Sequence, residues 1–129
     1  MNGIVGNFLA VGCGGFLGAI ARYAISGLFQ KRFPHFTPAG TLAVNVLGCF
    51  MIGVLMAVIT TRPNFPPKLQ LFLVTGILGS LTTFSTFGYE TVELLREQSY
   101  RTALWNVTAN LAFGLPAVWL GWFLVKGLP

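Results

Sequence analysis

The chain has 129 residues, of which 54% are apolar and only 9% charged, and its mean hydropathy is +0.74. A soluble domain carries about 25% charged residues and needs them to cover its surface. The composition excludes an ordinary soluble enzyme or nucleic-acid-binding domain, and the formal net charge of +5 is read as basic residues flanking membrane spans.

Between consecutive charged residues lie four neutral stretches, 1–21, 33–61, 69–89 and 102–125, of 21, 29, 21 and 24 residues. A helix crossing about 30 Å of hydrocarbon needs about 20 such residues. The expected fold is therefore all-α and membrane-embedded. Four transmembrane helices fall at about 3–29, 37–61, 68–98 and 101–126, in one domain with no soluble appendage. The first stretch lacks a basic n-region and is too long for a signal h-region, so it is expected to remain as a span. Cys13 and Cys49 lie deep in the first two spans and are read as small apolar packing residues rather than a disulfide.

Four spans place the 1–2 and 3–4 loops on one side of the membrane. That side carries Lys31, Arg32, Arg96 and Arg101, with Arg22 if it lies at the helix end. The other side carries Arg62, Lys68, Lys126 and the terminal amine. Lys and Arg normally concentrate on the cytoplasmic side. A near tie implies weakly specified orientation and so predicts dual topology, with copies inserted both ways. Four short helices also enclose too little space for a polar route, which places such a route between subunits. Gly14 and Gly18, flanked by Gly12 and Gly15, and then Gly48, Gly53, Gly76, Gly79, Gly114 and Gly121 permit close helix association. These features together point to an antiparallel homodimer.

Polar residues inside a membrane are costly and so invite functional readings. Span two holds Asn45, and span four holds Asn106, Thr108 and Asn110. Span three holds Thr75 and then Ser80, Thr82, Thr83, Ser85 and Thr86 among Gly76, Gly79 and Gly88. Ten residues, 69–78, precede Gly79 and make about 15 Å of helix. Gly, Ser and Thr here favour a break near 79–83, tolerated at that depth only inside protein or beside a cavity. Freed carbonyls there can hold a hard cation. A continuous helix with hydroxyls bonded to their own i−4 carbonyls fits the composition equally well.

Phe84 and Phe87 are three apart and share a helix face. Their bland role is packing. Their ring edges are electropositive, so an anion can pass along them without a fixed cation to trap it. The amides of Asn45, Asn106 and Asn110, with neighbouring hydroxyls, offer neutral donors to replace a small anion's hydration shell. The three acids, Glu90, Glu93 and Glu97, are expected at or beyond the end of span three, where Glu93 and Arg96 can pair. No carboxylate is then left deep in a span for proton coupling. His35 reads as a loop residue. Nothing in the chain offers a catalytic set, so it is not expected to be an enzyme.

Four blocks of sequence resemble the Fluc-type (CrcB) fluoride channels over essentially the whole length: residues 15–23, GFLGAIARY; residues 40–48, GTLAVNVLG; residues 76–87 with Glu90 following; and, more weakly, residues 114–121, GLPAVWLG. The Thr-Thr-Phe-Ser-Thr-Phe core of the third is the most specific. The resemblance implies a fluoride-selective passive channel in a bacterial inner membrane that lowers cytoplasmic fluoride. It implies an antiparallel dual-topology homodimer with two pores, surrounded by lipid and binding no nucleic acid. Phe84, Phe87 and Asn45 would line the pores with Ser85 and Thr86, and with Asn106 and Asn110 on helix four. Arg22 and Glu90 would stand near the vestibules. A structural Na⁺ on the dimer axis would be held by backbone carbonyls of Gly79 and Thr82. Ser80 stands where a second glycine is common, and Asn110 where Ser or Thr is common. The runner-up is a small proton-coupled drug exporter, and a third reading is a non-transporting membrane subunit.

Overall fold

In a computed structural model, residues 2–127 are described; the terminal amine counted above lies outside them. Five helical elements follow in order: α1 (Asn2–Arg32), α2 (Ala39–Thr61), α3 (residues 67–81), α4 (Phe84–Arg96) and α5 (Tyr100–Lys126). Four stretches are long and apolar enough to cross a membrane: Gly3–Arg32, Ala39–Thr61, Pro67–Arg96 and Tyr100–Lys126. The chain is a multi-pass membrane protein, and α3 and α4 together make its third span.

Local chemistry explains where the elements stop. The 31 residues of α1 make about 46 Å of helix, more than the hydrocarbon thickness, so Lys31 and Arg32 in its last turn reach past the apolar core. Pro34 disfavours helical dihedrals at the residue before it, and turns donated by the Phe36 and Ala39 N–H groups carry the chain into α2. Thr60 and Thr61 fold their hydroxyls back onto the last carbonyls of α2, and Arg62, followed by Pro63, is extended. Pro67 opens α3 at its first helical position, where a missing N–H costs nothing. At the end of α4 the N–H of Ser99 reaches Leu94 O and that of Gln98 reaches Leu95 O. This is the Schellman closure, made by Gln98 at φ +59° instead of a glycine.

Within α3 the residues Leu71–Leu78 wind as a π-helix between short α turns, Pro67–Gln70 and Gly79–Leu81. Thr82 and Thr83 then leave helical dihedrals altogether, with ψ 157° and φ −152°, before α4 begins.

The helices pack as two close pairs, α1 on α3 and α2 on α5, joined through α1 and α2, with α4 leaning on α5. Glycines set both pairs. A Cβ on Gly14 would strike the Phe72 carbonyl oxygen, and one on Gly18 that of Ile77. Gly53 and Gly121 stand in the same way against Val118 O and Phe50 O. Most of the glycines picked out in the sequence therefore close helices of one chain on each other, whereas Gly12 faces open space. The buried apolar core is small, centred on Val44, Leu78 and Leu81. Large apolar side chains such as Phe8, Phe16, Leu104 and Leu115 point outward, as expected where the surrounding solvent is lipid. Both cysteines are free; Cys49 is half-buried beside Gly114, while Cys13 is exposed.

Replacing Gly18 with Leu should force α1 off α3 and destabilise the fold by about 1–3 kcal/mol or more, because the collision is with backbone. Thermal melts followed by fluorescence size exclusion will register this, with Cys13→Ala expected to melt as the parent does.

Candidate functional site

The site is built around the two extended residues between α3 and α4. The Thr82 N–H and hydroxyl both donate to Leu78 O, at 3.1 and 3.0 Å, and close the last turn of α3. Its methyl group sits where a Cβ of Gly48 would otherwise be, so the absence of a side chain on α2 makes room for the turn. In an unbroken helix the Thr83 N–H would bond Gly79 O. Here it donates instead to Asn45 Oδ1, at 2.8 Å. Asn45 Nδ2 returns a bond to Thr83 O, at 3.3 Å. The side-chain amide of Asn45 thus pairs with Thr83 as a neighbouring peptide group would.

Thr83 also starts the next helix. Its Oγ1 accepts from the Thr86 N–H at 3.2 Å and lies 3.0 Å from Thr86 Oγ1 and 3.2 Å from Ser85 Oγ. This is an N-cap, and Thr is among the residues that satisfy the orphan donors of a first turn. Thr83 was not among the candidate site residues of the sequence reading. A Thr followed by Phe-Ser-Thr is an available N-cap signal, obscured there by four neighbouring hydroxyls.

Asn45 is held in turn. Its Nδ2 donates to Asn110 Oδ1 at 3.1 Å. Asn110 Nδ2 donates to Asn106 O and Oδ1, at 3.0 and 3.1 Å. Fully buried Asn106 donates to Thr91 Oγ1 at 3.0 Å, and Thr91 to Phe87 O at 2.7 Å. A carboxamide has two N–H donors, and Asn45 and Asn110 spend both of theirs on protein. These N–H groups, expected from the sequence to offer themselves to an anion, are here engaged in tying α2, α5 and α4 to the break. Thr91, also outside those expectations, is the link between Asn106 and α4.

Phe84 is 83% exposed, at the start of α4. Its ring centroid lies 5.5 Å from that of Phe87, with the planes at 48°. Phe87 is half-buried, and Ser85 and Thr86 are exposed. Within one chain the outer ring has no wall opposite it. Gly79 is exposed and Thr82 half-buried on the same break.

A groove of about 500 Å³ leads to this region, lined by Arg22, Tyr23 and Ser26 of α1, Thr41 of α2, and Thr83, Thr86 and Glu90. Arg22 and Glu90 therefore share one cavity. Glu90 corrects one expectation. It lies within α4, inside the span Pro67–Arg96, rather than at or beyond its end. The buried Thr41 hydroxyl donates to Glu90 Oε1 at 2.7 Å, and Oε2 is shielded from solvent with no partner among the described residues. The reason is the break itself: the helix restarts at Phe84, and Glu90, midway along it, is carried to Thr41 of α2. Glu93 and Arg96 do pair, at 3.5 Å, and Thr108 is exposed and apart from the network.

Residues 9–122 match the family described as CrcB-like protein, Camphor Resistance (CrcB). The chain belongs to this family. It is 45% identical over 117 residues to the fluoride-specific ion channel FluC of Campylobacter fetus subsp. fetus (strain 82-40), covering 90% of this chain and 91% of that one. It is 45% identical over 120 residues to the protein of the same name from Sulfurovum sp. (strain NBC37-1), covering 93% and 94%. It is 42% identical over 123 residues to that of Campylobacter jejuni (strain RM1221), covering 95% and 100%. These relatives are named as ion channels, not as enzymes.

Replacing Asn45 with Leu should leave the buried Thr83 N–H unpaired and cost about 1–3 kcal/mol. The same melt measures it, and Asn45→Leu should fall further than Thr108→Ala, which touches none of the network.

Proposed function

We propose that this CrcB-family protein is a fluoride-selective passive channel that works as an antiparallel, dual-topology homodimer with two pores. The observation that carries the reading is the pair Phe84 and Phe87 standing beside a helix break tied down by Asn45. The outer ring faces away from its own chain, so a second copy would supply the missing wall. The relatives' names supply the ion, and the near-even split of basic residues supports insertion both ways. Fluoride moving along the pair would meet ring edges and the hydroxyls of Ser85 and Thr86. Arg22 would draw anions into the groove it shares with Glu90. The network also implies a competition: fluoride reaches an Asn45 N–H by displacing Asn110 or the Thr83 carbonyl.

The sodium site fits the same break. Because the Thr83 N–H turns to Asn45, the Gly79 carbonyl is released from its helical partner, and neutral oxygens suit a hard cation. Gly79 and Thr82 carbonyls would hold Na⁺, which would supply fixed positive charge at the meeting of two chains. Glu90 supports one second reading. A carboxylate shielded within a span is what a proton-coupled exporter requires.

Reconstituted liposomes loaded with fluoride should release it to a fluoride electrode and retain chloride; equal loss of the two ions would defeat selectivity. The flux should persist without a pH gradient, whereas a strict requirement for one would favour the exporter. Phe84→Ile should cut fluoride flux strongly while leaving the protein folded, and an unchanged rate would return Phe84 to packing. Asn110→Ala should free one Asn45 N–H and lower the half-saturating fluoride concentration about fivefold, the worth of one net hydrogen bond. A fall in maximal flux at constant half-saturation would instead make Asn110 a purely structural prop.

A further inference from the structure

A second cavity lies on the opposite side of α2. Thr41, Val44, Asn45 and Gly48 repeat at helical spacing on the face turned to the break. Leu42, Ala43, Val46 and Phe50 repeat on another face and floor an apolar groove of about 980 Å³. The end of α1 walls it with Phe29 and Phe33, and α5 walls it with Phe113 and Pro116. From Ala39 to Phe50, both of which line it, the groove runs about 17 Å along α2. That is about one leaflet of a 30 Å hydrocarbon core.

A cation stands beside one wall of this groove. Lys31 and Arg32 occupy the last turn of α1, both exposed. The Arg32 guanidinium lies 5.4 Å from the ring centroid of Phe33, itself a wall of the groove. No Asp or Glu precedes Glu90 in the chain, so neither α1, α2 nor their loop offers a carboxylate to neutralise the pair. An apolar trough one leaflet deep, with the Arg32 guanidinium beside its Phe33 wall and no ion pair to it among the described residues, matches an amphiphile with an anionic head.

We propose that this groove binds an anionic phospholipid, with an acyl chain lying along α2 between α1 and α5, the phosphate held by Arg32 and attracted by the charge of neighbouring Lys31. The assignment of lipid rather than a second copy rests on the functional reading above, in which the partner subunit covers the opposite face, where Phe84 stands.

The test uses the full-length protein purified from membranes containing both phosphatidylglycerol and phosphatidylethanolamine, with retained lipid quantified by mass spectrometry. The double variant Lys31→Gln, Arg32→Gln should lower the retained ratio of phosphatidylglycerol to phosphatidylethanolamine about fivefold or more, given the usual attraction of a basic residue to anionic lipid. Ala43→Trp, which fills the trough, should reduce both lipids while the oligomer stays intact. If a variant does not fold, delipidated wild-type protein is titrated instead; phosphatidylglycerol should raise its melting temperature and phosphatidylcholine should not. Unchanged retention in the variants, or equal shifts with both lipids, overturns the proposal. So does conversion of the oligomer to monomer by Ala43→Trp, which would make the groove an interface between copies. Fluoride efflux of the wild type in the same preparation reports the channel reading independently.

Discussion

The structure depends on the pairing of one side-chain amide with one backbone residue. A bilayer offers no water to an unpaired N–H or C=O, and each such group costs several kcal/mol there. Extended residues within a span therefore need a substitute partner. Asn45 provides it, accepting from the Thr83 N–H and donating to its carbonyl. The rest of the polar interior serves that pair. Asn110 fixes Asn45, Asn106 fixes Asn110, and Thr91 connects them to the carbonyl of Phe87.

The same constraint governs what the site can offer to an ion. Every amide hydrogen used to hold the backbone is one not available to an anion until something moves. Hydroxyls and ring edges near Phe84 remain at the surface of the chain, while the Asn45 and Asn110 amides behind them are committed. Glycine supplies the space for this arrangement. Gly48 admits the Thr82 methyl, and Gly14 and Gly18 let α1 approach the carbonyls of α3. A side chain at any of these positions would move the break relative to Asn45.

Much of this could be read from residue order. The four neutral stretches matched spans because length and apolarity alone decide what crosses a bilayer. Asn45, Asn106, Asn110 and the Thr/Ser run stood out because polar groups are rare there. Pairing of Glu93 with Arg96 followed from helical spacing. The placement of Glu90 did not, because counting from the start of the span assumes a single helix. Once the chain leaves helical dihedrals at Thr82 and begins again at Phe84, positions after it acquire a new phase and a new neighbour, Thr41. Thr83 was hidden for a related reason: which hydroxyl of several caps a helix depends on where that helix starts.

The sequence by itself determined that the chain lives in a membrane, how many times it can cross, and which polar residues it carries inside. Composition and run length settle these, because transfer of a segment into lipid is nearly a sum over its own residues. Only the tertiary structure decided who partners whom: Asn45 with Thr83, Thr41 with Glu90, and an apolar trough on α2 walled by Phe33, whose ring lies beside Arg32. Those pairings join residues far apart in the chain, and hydrogen-bond geometry is satisfied or lost within a few tenths of an ångström.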